Sequence, residues 1–360
     1  MSVGLMQRVC AGYRVPLFDL LGETLPGGLS LYAGDPRPDE MIDQTRIPQH
    51  ADFWKAQNRH LFSGRFYLCD QRDVPDWLRQ TDPEVLIMEA NMRYLRSADA
   101  AHWMHGKKRP VIGWGLGTGS TGGLLLKRHL ALFDAMITYS SAGKQSYVQA
   151  GFPAERIFIA CNAAAPRPDR PMPERPADHF EGRPVVLYVG RLQKRKRLDL
   201  LMHACAMQPE ERRPELWIVG DGPIRSELEE TAWEIYPETV FFGALYGDEL
   251  TARFDRADLF CLPGTGGLAL QQAMASALPL VAAEADGTQN DLVRPSNGIR
   301  VAPGSLKELS AAVRTLLEDP VKLRRMGAES FRIVSEEINL EAMAAVFARA
   351  VDFVLKEGLR

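Results

Sequence analysis

The sequence predicts an α/β protein with two doubly wound parallel sheets, one in each half of the chain. Three observations lead to this prediction. The length of 360 residues suits about two domains, aliphatic runs alternate with helix-length segments, and a proline-rich stretch divides the chain into near-equal halves. Aliphatic runs separated by helices are typical of parallel strands buried on both faces. Two such Rossmann-like domains in tandem would face a cleft between their carboxyl edges, where folds of this kind bind ligands.

The first half contains short apolar runs that we interpret as strands. They are Val3–Val9, Leu29–Tyr32, Val85–Met88, Val111–Trp114, Met136–Tyr139 and Ile157–Ala160. Helical patterns lie between several of them, for example at Leu124–Phe133 and Gly143–Ala150.

In the second half the alternation of strand and helix is more regular. The predicted strands are Val185–Val189, Leu216–Val219, Val240–Phe242, Leu259–Leu262 and Leu280–Ala283. The predicted helices are Leu198–Met207, Ile224–Trp233, Asp248–Arg256, Leu268–Ser276 and a long closing helix, Leu340–Leu355.

Proline marks the boundary between the domains. Five prolines fall within the eleven residues 166–176, and proline lacks the backbone donor that a helix or a central strand needs. We therefore expect a stiff linker at 166–184 between an N-terminal Rossmann-like domain, 1–165, and a C-terminal Rossmann-like domain, 185–338. We expect the final segment, 339–360, to pack across a domain boundary, with a crossing to the N-terminal domain as one arrangement.

Composition excludes several classes of protein. Apolar residues make up 46% of the chain and charged residues 25%, which is ordinary for a globular protein and excludes a disordered chain, a collagen or a coiled coil. A net charge of −3 does not favour binding to nucleic acid. No apolar stretch is long enough to span a membrane. The five cysteines are widely spaced, so we expect buried thiols and a cytoplasmic protein.

Basic residues are concentrated between Arg93 and His129, with seven lysines and arginines against one acid, Asp99. One interpretation is a set of solvated turns. The other is a positive rim that favours an anionic acceptor or the inner face of the cell membrane, where the protein would make peripheral contact.

The first candidate site follows the strand Val185–Val189. This strand ends at Gly190, whose missing side chain lets a ligand approach the backbone closely. Arg191 and Lys196 come next, and two fixed cations at the mouth of a cleft suit a diphosphate. The alternative is that Lys194–Arg197 is a solvated basic loop.

A glycine-rich turn after the strand Leu259–Leu262 opens directly onto a helix. Its residues are Gly264, Thr265, Gly266, Gly267 and Leu268. Such a turn presents backbone N–H groups and the positive end of the helix dipole to an anion. Gln272, one turn into the helix, is placed to hydrogen-bond a sugar hydroxyl. The polar loop Ala285–Val293 follows the next strand at the same edge.

These motifs resemble those of the retaining GT-B glycosyltransferases of family 4 (glycosyl transferases group 1), which include bacterial polysaccharide and lipopolysaccharide enzymes. Gly190-Arg-Leu followed by Lys196 is similar to the family's G-R-L-x-x-x-K donor-phosphate motif. Val219–Pro223 is similar to its V-G-D/E-G-P turn, and Val240–Gly243 to the strand and loop whose backbone receives the nucleobase. The resemblance is specific over 135–335 and weaker over 1–134.

The sugar-binding loop departs from the family's E-G-F-G-x-x-x-x-E pattern. Gly264 stands in place of the first glutamate, which usually contacts the donor sugar, and glycine cannot replace that contact. Gln272 stands in place of the second and keeps an acceptor oxygen for the ribose diol. Asp291 stands where the family's G-G-x-x-E glutamate would be. A branch of the family has P-G-x-x-G-L in this loop, so loss of function does not follow.

The resemblance implies transfer of a sugar with retention of configuration. The donor would be a nucleotide sugar, UDP being preferred on family frequency, and the acceptor a glycan, a lipid-linked glycan or a small molecule in bacterial glycan biosynthesis. Arg191 and Lys196 would act as catalytic residues by stabilising the departing diphosphate, together with the Gly264–Leu268 backbone. The resemblance implies no metal and no other cofactor.

The acceptor side of the first domain has weaker candidates, and ordinary loop structure is the alternative for each. They are Arg14, Glu89, Asn91, Arg93, Gly117 and Trp114, the last near the place where related transferases often have a histidine.

Other functions remain open at this point. Gly117-x-Gly119-x-x-Gly122 follows a strand and opens a helix as a dinucleotide fingerprint does, but the acid expected at the end of the next strand is absent. Two alternatives share the predicted architecture: an isomerase that resembles UDP-sugar 2-epimerases, and a non-catalytic protein that binds a nucleotide sugar.

Overall fold

The computed structural model describes residues 2–40, 42, 44–119, 122–285 and 287–357 and divides the chain into two units. The first unit consists of the residues up to Ala164 together with the segment from Leu340 onward. The second unit runs from Ala165 to Asn339. The last helix of the chain therefore belongs to the N-terminal unit.

The first unit is built on a parallel sheet of seven strands. These are β1 (Val3–Val9), β2 (Leu29–Gly34), β3 (Asp52–Ala56), β6 (Val85–Glu89), β7 (Val111–Gly115), β8 (Ala135–Thr138) and β9 (Ile157–Ile159), in the order β3-β2-β1-β6-β7-β8-β9. An antiparallel hairpin, β4 (Asn58–Leu61) and β5 (Leu68–Gln71), is inserted after β3.

Helices cover both faces of this sheet, and successive strand residues enter two separate cores, as the alternation of side chains along a strand requires. Leu5 belongs to the core that includes Phe347, whereas the next residue, Met6, belongs to the core that includes Trp77. The helices of the unit are α1 (Val15–Thr24), α2 (Val74–Thr81), α3 (Ser97–Gly106), α4 (Leu124–Leu130), α5 (Ser141–Gln149) and α13 (Leu340–Glu357).

The second unit is built on a parallel sheet of six strands. These are β10 (Val185–Val189), β11 (Glu215–Val219), β12 (Thr239–Gly243), β13 (Leu259–Leu262), β14 (Leu280–Ala283) and β15 (Gly298–Val301). The order β12-β11-β10-β13-β14-β15 is the 3-2-1-4-5-6 order of Rossmann folds. In this order the chain reverses its direction across the sheet between β10 and β13. Ligands bind at such a switch point in doubly wound sheets.

The helices of the second unit are α6 (Leu198–Ala206), α7 (Arg225–Ile235), α8 (Gly247–Arg256), α9 (Leu268–Ala275), α10 (Gln289–Leu292), α11 (Leu306–Leu317) and α12 (Pro320–Glu336). Among the described residues no helix is long and apolar enough to cross a membrane.

The predicted fold class is confirmed in both units. Strands β1, β10, β13 and β14 begin and end at the predicted residues. The sequence analysis missed β3 and the hairpin because their sequences, DFWKA, NRHL and LCDQ, mix polar and charged residues without an apolar run. It also missed β15 and several helices, of which α12 is the longest. Cys10, Cys69, Cys205 and Cys261 are buried thiols, as expected, whereas Cys161 is half-buried.

The proline-rich segment is held on the second unit by two arginines. Arg175 donates three hydrogen bonds to main-chain oxygens, to Ala257 at 3.1 Å, Ser276 at 2.9 Å and Phe254 at 3.0 Å. Burial and the nearby positive charge of Arg324 lower the pKa of Arg175 to about 10. The guanidinium therefore replaces solvent for three carbonyl groups at the C-terminal ends of α8 and α9.

The second arginine, Arg170, makes a two-point ion pair with Asp255. Its two terminal nitrogens lie 2.5 and 2.7 Å from the carboxylate oxygens, and one of them also donates to Ser276 Oγ at 2.9 Å. Paired guanidinium–carboxylate contacts of this geometry hold both side chains in one orientation. Arg175 lies 79 residues or more from its main-chain partners, and Arg170 lies 85 residues from its carboxylate partner. These two side chains therefore fix the linker to this unit.

We predict that Arg175→Met destabilises the second unit. Methionine keeps much of the apolar stem but leaves three buried carbonyl groups without their donor, which costs about 2–4 kcal/mol of unfolding free energy. Urea unfolding measures the loss. The matched control is Arg212→Met, which removes an exposed ion pair with Glu318 at 3.4 Å and is expected to cost less than about 1 kcal/mol. Equal losses in the two variants would contradict this role of Arg175.

Candidate functional site

The candidate site lies at the carboxyl edge of the second sheet, beside the switch point between β10 and β13. The segment after β10 forms a short 3₁₀ turn, Lys194–Lys196, and the segment after β13 is the glycine loop 264–267. These two segments contact each other directly. The N–H of Thr265 donates to the carbonyl oxygen of Arg195 at 3.2 Å, so backbone pairing joins the loop to the basic turn.

Two basic side chains add to this backbone contact. Lys196 Nζ donates to the carbonyl oxygen of Thr265 at 2.5 Å. Arg195 Nη1 donates to Thr265 Oγ1 at 2.7 Å, and its Nε donates to Gln193 Oε1 at 3.0 Å. Thr265 is therefore held through its amide, its carbonyl group and its hydroxyl group.

Gly264 makes this close contact sterically feasible. A Cβ atom built on Gly264 would lie 2.2 Å from the carbonyl oxygen of Arg195 and 2.7 Å from Cα of Lys196. Both neighbours are backbone atoms, so a side-chain rotation cannot relieve the overlap. The departure from the family pattern at this position therefore has a structural reason: the loop lies against the basic turn where any side chain would stand.

Lys196 is the buried cation of the site, with 9% of its surface exposed. Burial disfavours the charged ammonium, and with the repulsion from Arg195 it lowers the pKa of Lys196 to about 8. An ammonium has three N–H donors, and among the described residues one of them is used, on Thr265. Lys196 is thus a partly desolvated cation whose charge an anion would stabilise.

The N-terminus of α9 adds a second positive element. Its N-cap, Gly267, has no side chain to accept from the first amides, and its first turn contains no acidic residue. The first N–H groups of a helix lack intrahelical partners, and the helix dipole favours an anion there. The glycine loop therefore brings a helix N-terminus and the Lys196 ammonium to one edge of the sheet.

The loop after β14 holds the glycine loop from its other side. Gln289, which is fully buried, donates from Nε2 to the carbonyl oxygen of Gly266 at 2.5 Å. Its Oε1 is buried without a partner among the described residues. Two consecutive carbonyl groups are therefore bound from two sides. Lys196, which follows β10, binds that of Thr265, and Gln289, which follows β14, binds that of Gly266.

The sequence analysis missed two of these side chains, Arg195 and Gln289. Arg195 belongs to the run Lys194–Arg197, for which a solvated loop is the alternative interpretation. Gln289 lies in the polar loop Ala285–Val293. Both act through partners about 70 and 23 residues away, so local pattern offered no signal for them beyond their place on the carboxyl edge.

The other donor-side candidates lie on the same edge. Arg191 is half-buried, and its carbonyl oxygen accepts from the Tyr188 hydroxyl at 3.2 Å. Gln272 is exposed on α9, and Leu268, its first residue, is 37% exposed. Asp291 lies half-buried on α10. Their roles toward a ligand stay predictions.

Gly190 and Gly243 pack against protein atoms. Gly190 has φ +154°, and a Cβ there would lie 2.8 Å from the Tyr188 hydroxyl oxygen. A Cβ on the neighbouring Gly220 would lie 2.0 Å from the Gly190 carbonyl oxygen. The Gly243 carbonyl oxygen accepts from the Gly220 amide at 2.7 Å. The sequence analysis expected the missing side chain of Gly190 to let a ligand approach the backbone. In the structure, the glycines at 190, 220 and 243 allow the loops after β10, β11 and β12 to approach one another closely.

Two acceptor-side candidates of the first unit, Trp114 and Arg14, are buried, and a role for either toward an acceptor stays a prediction. Trp114 is 1% exposed and its ring meets Phe347 of α13 edge-on, with centroids 4.9 Å apart. Arg14 is 8% exposed and donates to Asn162 Oδ1 at 2.6 Å and to the Ala163 carbonyl oxygen at 3.2 Å. Both side chains join the loops of this unit to its core, and neither lines an open surface.

Three other candidates lie at the carboxyl edge of the first sheet: Glu89 is the last residue of β6, and Asn91 and Arg93 follow it. Glu89 Oε2 accepts from the Arg8 amide at 2.7 Å, and burial raises the pKa of its carboxyl group. Asn91 Oδ1 accepts from the Arg93 amide at 3.1 Å, and Arg93 itself is exposed. Their place on this edge is compatible with an acceptor role, which stays a prediction.

Gly117 packs on α5. It has φ +133°, and a Cβ there would lie 2.5 Å from Ser146 Oγ. Ser146 Oγ also accepts from the Thr118 amide at 3.1 Å. Ser120 and Thr121, within the glycine pattern that was compared with a dinucleotide fingerprint, lie outside the described residues.

The basic stretch Arg93–His129 is partly neutralised within its own unit. Arg96 pairs with Asp70 at 2.7 Å. Lys107 and Arg109 both pair with Asp82, at 2.6 and 2.7 Å. A continuous positive rim over the whole stretch is therefore not present among the described residues, while Arg93, Lys108, Lys127 and Arg128 are exposed or nearly so.

We predict that Gly264→Ala displaces the glycine loop from the basic turn. The new methyl group overlaps backbone atoms of Arg195 and Lys196, and overpacking of this kind costs about 1–3 kcal/mol of unfolding free energy. Thermal unfolding measures the loss, and a lysine-selective NMR titration measures the accompanying rise in the pKa of Lys196 as its ammonium becomes solvated. Gly106→Ala is the control, because a Cβ on Gly106 has no atom within 4 Å. Unchanged stability and pKa in Gly264→Ala would contradict the steric argument.

The chain is similar to known proteins in sequence over part of its length. Residues 183–319 match the family model described as glycosyl transferases group 1. Among curated proteins, the sulfoquinovosyl transferase SQD2 of Arabidopsis thaliana is 35% identical over 143 residues, 38% of this chain and 27% of that protein. The alpha-D-kanosaminyltransferase of Streptomyces kanamyceticus is 28% identical over 206 residues, 54% of this chain and 53% of that protein. The chain thus spans about half or less of the length of these relatives.

Solved structures extend the similarity of fold to nearly the whole chain. The apo form of the lipopolysaccharide outer core galactosyltransferase WaaB has a TM-score of 0.73 at 16% identity, covering 98% of this chain and 99% of that one. Anabaena Alr3699/HepE in complex with UDP has a TM-score of 0.71 at 18% identity, with 98% and 99% covered. Residues 183–319 therefore match the glycosyl transferases group 1 family, and the chain as a whole has the GT-B fold.

Proposed function

We propose that the protein is a glycosyltransferase that moves a sugar from a nucleotide-sugar donor to a glycan, lipid-linked or small-molecule acceptor in bacterial glycan biosynthesis. One observation supports this above the others: a buried lysine of lowered pKa and an uncapped helix N-terminus meet at the switch point of the second sheet. Such a site attracts a phosphate group that carries two negative charges.

In this proposal the diphosphate is the leaving group. The bond between the anomeric carbon and the phosphate oxygen breaks, and negative charge develops on that oxygen. Lys196, Arg191 and the amides at the start of α9 would stabilise this charge. Because these groups are already in place before the reaction, they need no reorganisation as the charge develops.

The finer chemistry rests on the family resemblance. We propose that the acceptor oxygen attacks on the face that the phosphate leaves, so that the configuration is retained, and that the acceptor's proton leaves with the diphosphate. We further propose that protein cations and amides perform the role that a metal ion has in other transferases. Mass spectrometry and proton NMR of the product, with and without a chelator, test both points.

UDP is the nucleotide we propose for the donor. The solved structures of the HepE protein with UDP and with UDP-glucose support this choice. The GDP-mannose-dependent alpha-mannosyltransferase of Mycolicibacterium smegmatis, which is 38% identical over 118 residues, makes GDP-mannose the second donor to test. A thermal-shift screen of nucleotide sugars distinguishes a UDP-sugar donor from GDP-mannose, because a ligand at 100 times its Kd adds about 2.7 kcal/mol to the free energy of unfolding.

We propose a cytoplasmic location, because widely spaced thiols suit a reducing compartment. Peripheral contact with the inner face of the membrane is part of the same proposal, since a lipid-linked acceptor would be reached there. The exposed cations of the basic stretch, Arg93, Lys127 and Arg128, support it.

Two variants test the proposed leaving-group site. We predict that Lys196→Ala and Arg191→Ala each lower kcat by about 10²–10³, since each removes one charged donor from the departing diphosphate. Turnover is measured with the donor found in the screen. The matched control is Lys194→Ala, which removes an exposed lysine of the same turn that pairs with Glu227 at 3.2 Å, and we expect it to retain most activity.

The same assay separates the alternatives. Conversion of the donor sugar without an acceptor would indicate an isomerase instead of a transferase. Donor binding with neither transfer nor hydrolysis would indicate a non-catalytic binding protein, which the absence of a carboxylate at Gly264 favours as the second candidate. Full activity in Lys196→Ala would overturn the proposed role of the lysine.

We predict that affinity for the nucleotide diphosphate falls as the pH rises above about 8. Lys196 loses its proton near that pH in the free protein, whereas a bound diphosphate favours the charged ammonium and raises its pKa. Between these two pKa values each pH unit weakens binding by up to about tenfold. Calorimetric titration over about pH 7 to 9.5 measures this slope. Lys196→Arg, which stays charged throughout, should give a flat profile, and the same slope in that variant would assign the titration to another group.

A further inference from the structure

The hairpin of the first unit ends in an exposed aromatic tip, which we define as residues 62–67 between β4 and β5. Phe62 is 74% exposed and Phe66 is 65% exposed. Rings of this size are normally buried in a globular protein, and two of them on one short turn form an apolar surface. Nothing in the proposed transfer reaction uses this surface.

The base of the hairpin fixes the direction of the tip. Asn58 Nδ2 donates to the main-chain oxygens of Arg8 and Asp35 at 2.7 and 2.8 Å. The Cys69 amide donates to the carbonyl oxygen of Arg93 at 2.9 Å. These bonds join the hairpin to the end of β1 and to the loops after β2 and β6.

Tyr67 and Phe66 point to opposite sides. Tyr67 is 8% exposed, and its hydroxyl lies 2.9 Å from His60 Nδ1, with the Arg37 guanidinium 4.8 Å from its ring centroid. The inward tyrosine is therefore held by polar and cationic contacts. Its neighbour Phe66 is presented outward by a turn whose position is set by these contacts.

Phe62 is in a strained conformation. Its φ is +57°, in the left-handed region, which costs an L-residue other than glycine or asparagine about 1–2 kcal/mol. The ring gains little packing in return, since it is largely exposed. Local strain of this kind persists where a function requires the side chain.

The charge around the tip is positive. Residues 59–68 contain Arg59, Arg65 and His60 and no aspartate or glutamate. The Arg65 guanidinium lies 4.8 Å from the ring centroid of Phe66. Arg93 joins the tip residues in lining a shallow depression of about 730 Å³, so one surface combines apolar rings with exposed guanidinium groups.

We propose that the aromatic tip docks on an anionic phospholipid bilayer. The rings of Phe62 and Phe66 enter the interfacial region, where aromatic side chains are favoured, and Arg59, Arg65 and Arg93 contact lipid phosphates. A bilayer fits better than a folded partner because the tip is a small protruding turn whose outward groups are two rings and unpaired cations. The proposal names the surface that would make the peripheral membrane contact of the proposed function, and it holds or fails independently of the transfer reaction.

The test is flotation of the full chain with vesicles of phosphatidylcholine alone and of phosphatidylcholine mixed with phosphatidylglycerol. The protein is expected to float with the anionic vesicles and to be released by salt, because screening weakens the arginine contacts. The variant Phe62→Asn/Phe66→Ser is expected to bind the anionic vesicles at least about tenfold more weakly than the unmodified chain. Asparagine tolerates the left-handed conformation, so this variant is expected to unfold at an equal or higher temperature.

Two controls make the test specific. Trp233→Ser removes an 81% exposed aromatic ring from α7 of the other unit and is expected to leave flotation unchanged. Nucleotide binding by the tip variant is expected to stay at the level of the unmodified chain, which separates failure of this proposal from failure of the proposed function. Unchanged flotation of the tip variant, equal binding to neutral vesicles, or a dimer that the tip variant dissociates would each overturn the proposal.

Discussion

The hydrogen bond from Lys196 to the carbonyl oxygen of Thr265 joins the segments that follow β10 and β13. Between these two strands the chain reverses its direction across the second sheet. The bond holds the glycine loop against the basic turn, and the start of α9 follows directly from that loop. The same burial that secures the bond lowers the pKa of the lysine to about 8. The folded protein therefore holds a poorly solvated cation in a fixed place, and such pre-organisation is what an electrostatic site would need.

Much of the second unit is predictable from sequence because its strands are continuous apolar runs and its site residues lie beside them. The seven residues after β10 include Gly190, Arg191 and Lys196. Once this strand is predicted, the edge of the sheet at which these residues lie is known as well. The role of Gln289 cannot be predicted from its place after a strand, because its contact with Gly266 depends on how β13 and β14 pair. Gly264 is the opposite case. The sequence shows that the glutamate of the family pattern is missing there, and the structure shows that a side chain would overlap the backbone of Arg195 and Lys196.

The acceptor side of the first unit was less predictable for a physical reason. An arginine or tryptophan at the end of a strand fits a site rim and a loop anchor equally well. Arg14 became an anchor because Asn162 and Ala163, almost 150 residues away, approach it. Trp114 was buried by Phe347, which belongs to a helix that returns from the end of the chain. Neither partner is visible from the local pattern around the residue.

The space taken at Gly264 also restricts how the candidate site can change. The backbone of Arg195 and Lys196 lies where the first atom of any side chain at 264 would be. A carboxylate at this position, as in the family pattern, would require the 194–196 turn to move first or at the same time. Acquisition of a new sugar contact here is therefore a coupled change in two segments, and single substitutions, whether by evolution or by an engineer, meet a barrier that the sequence alone does not reveal.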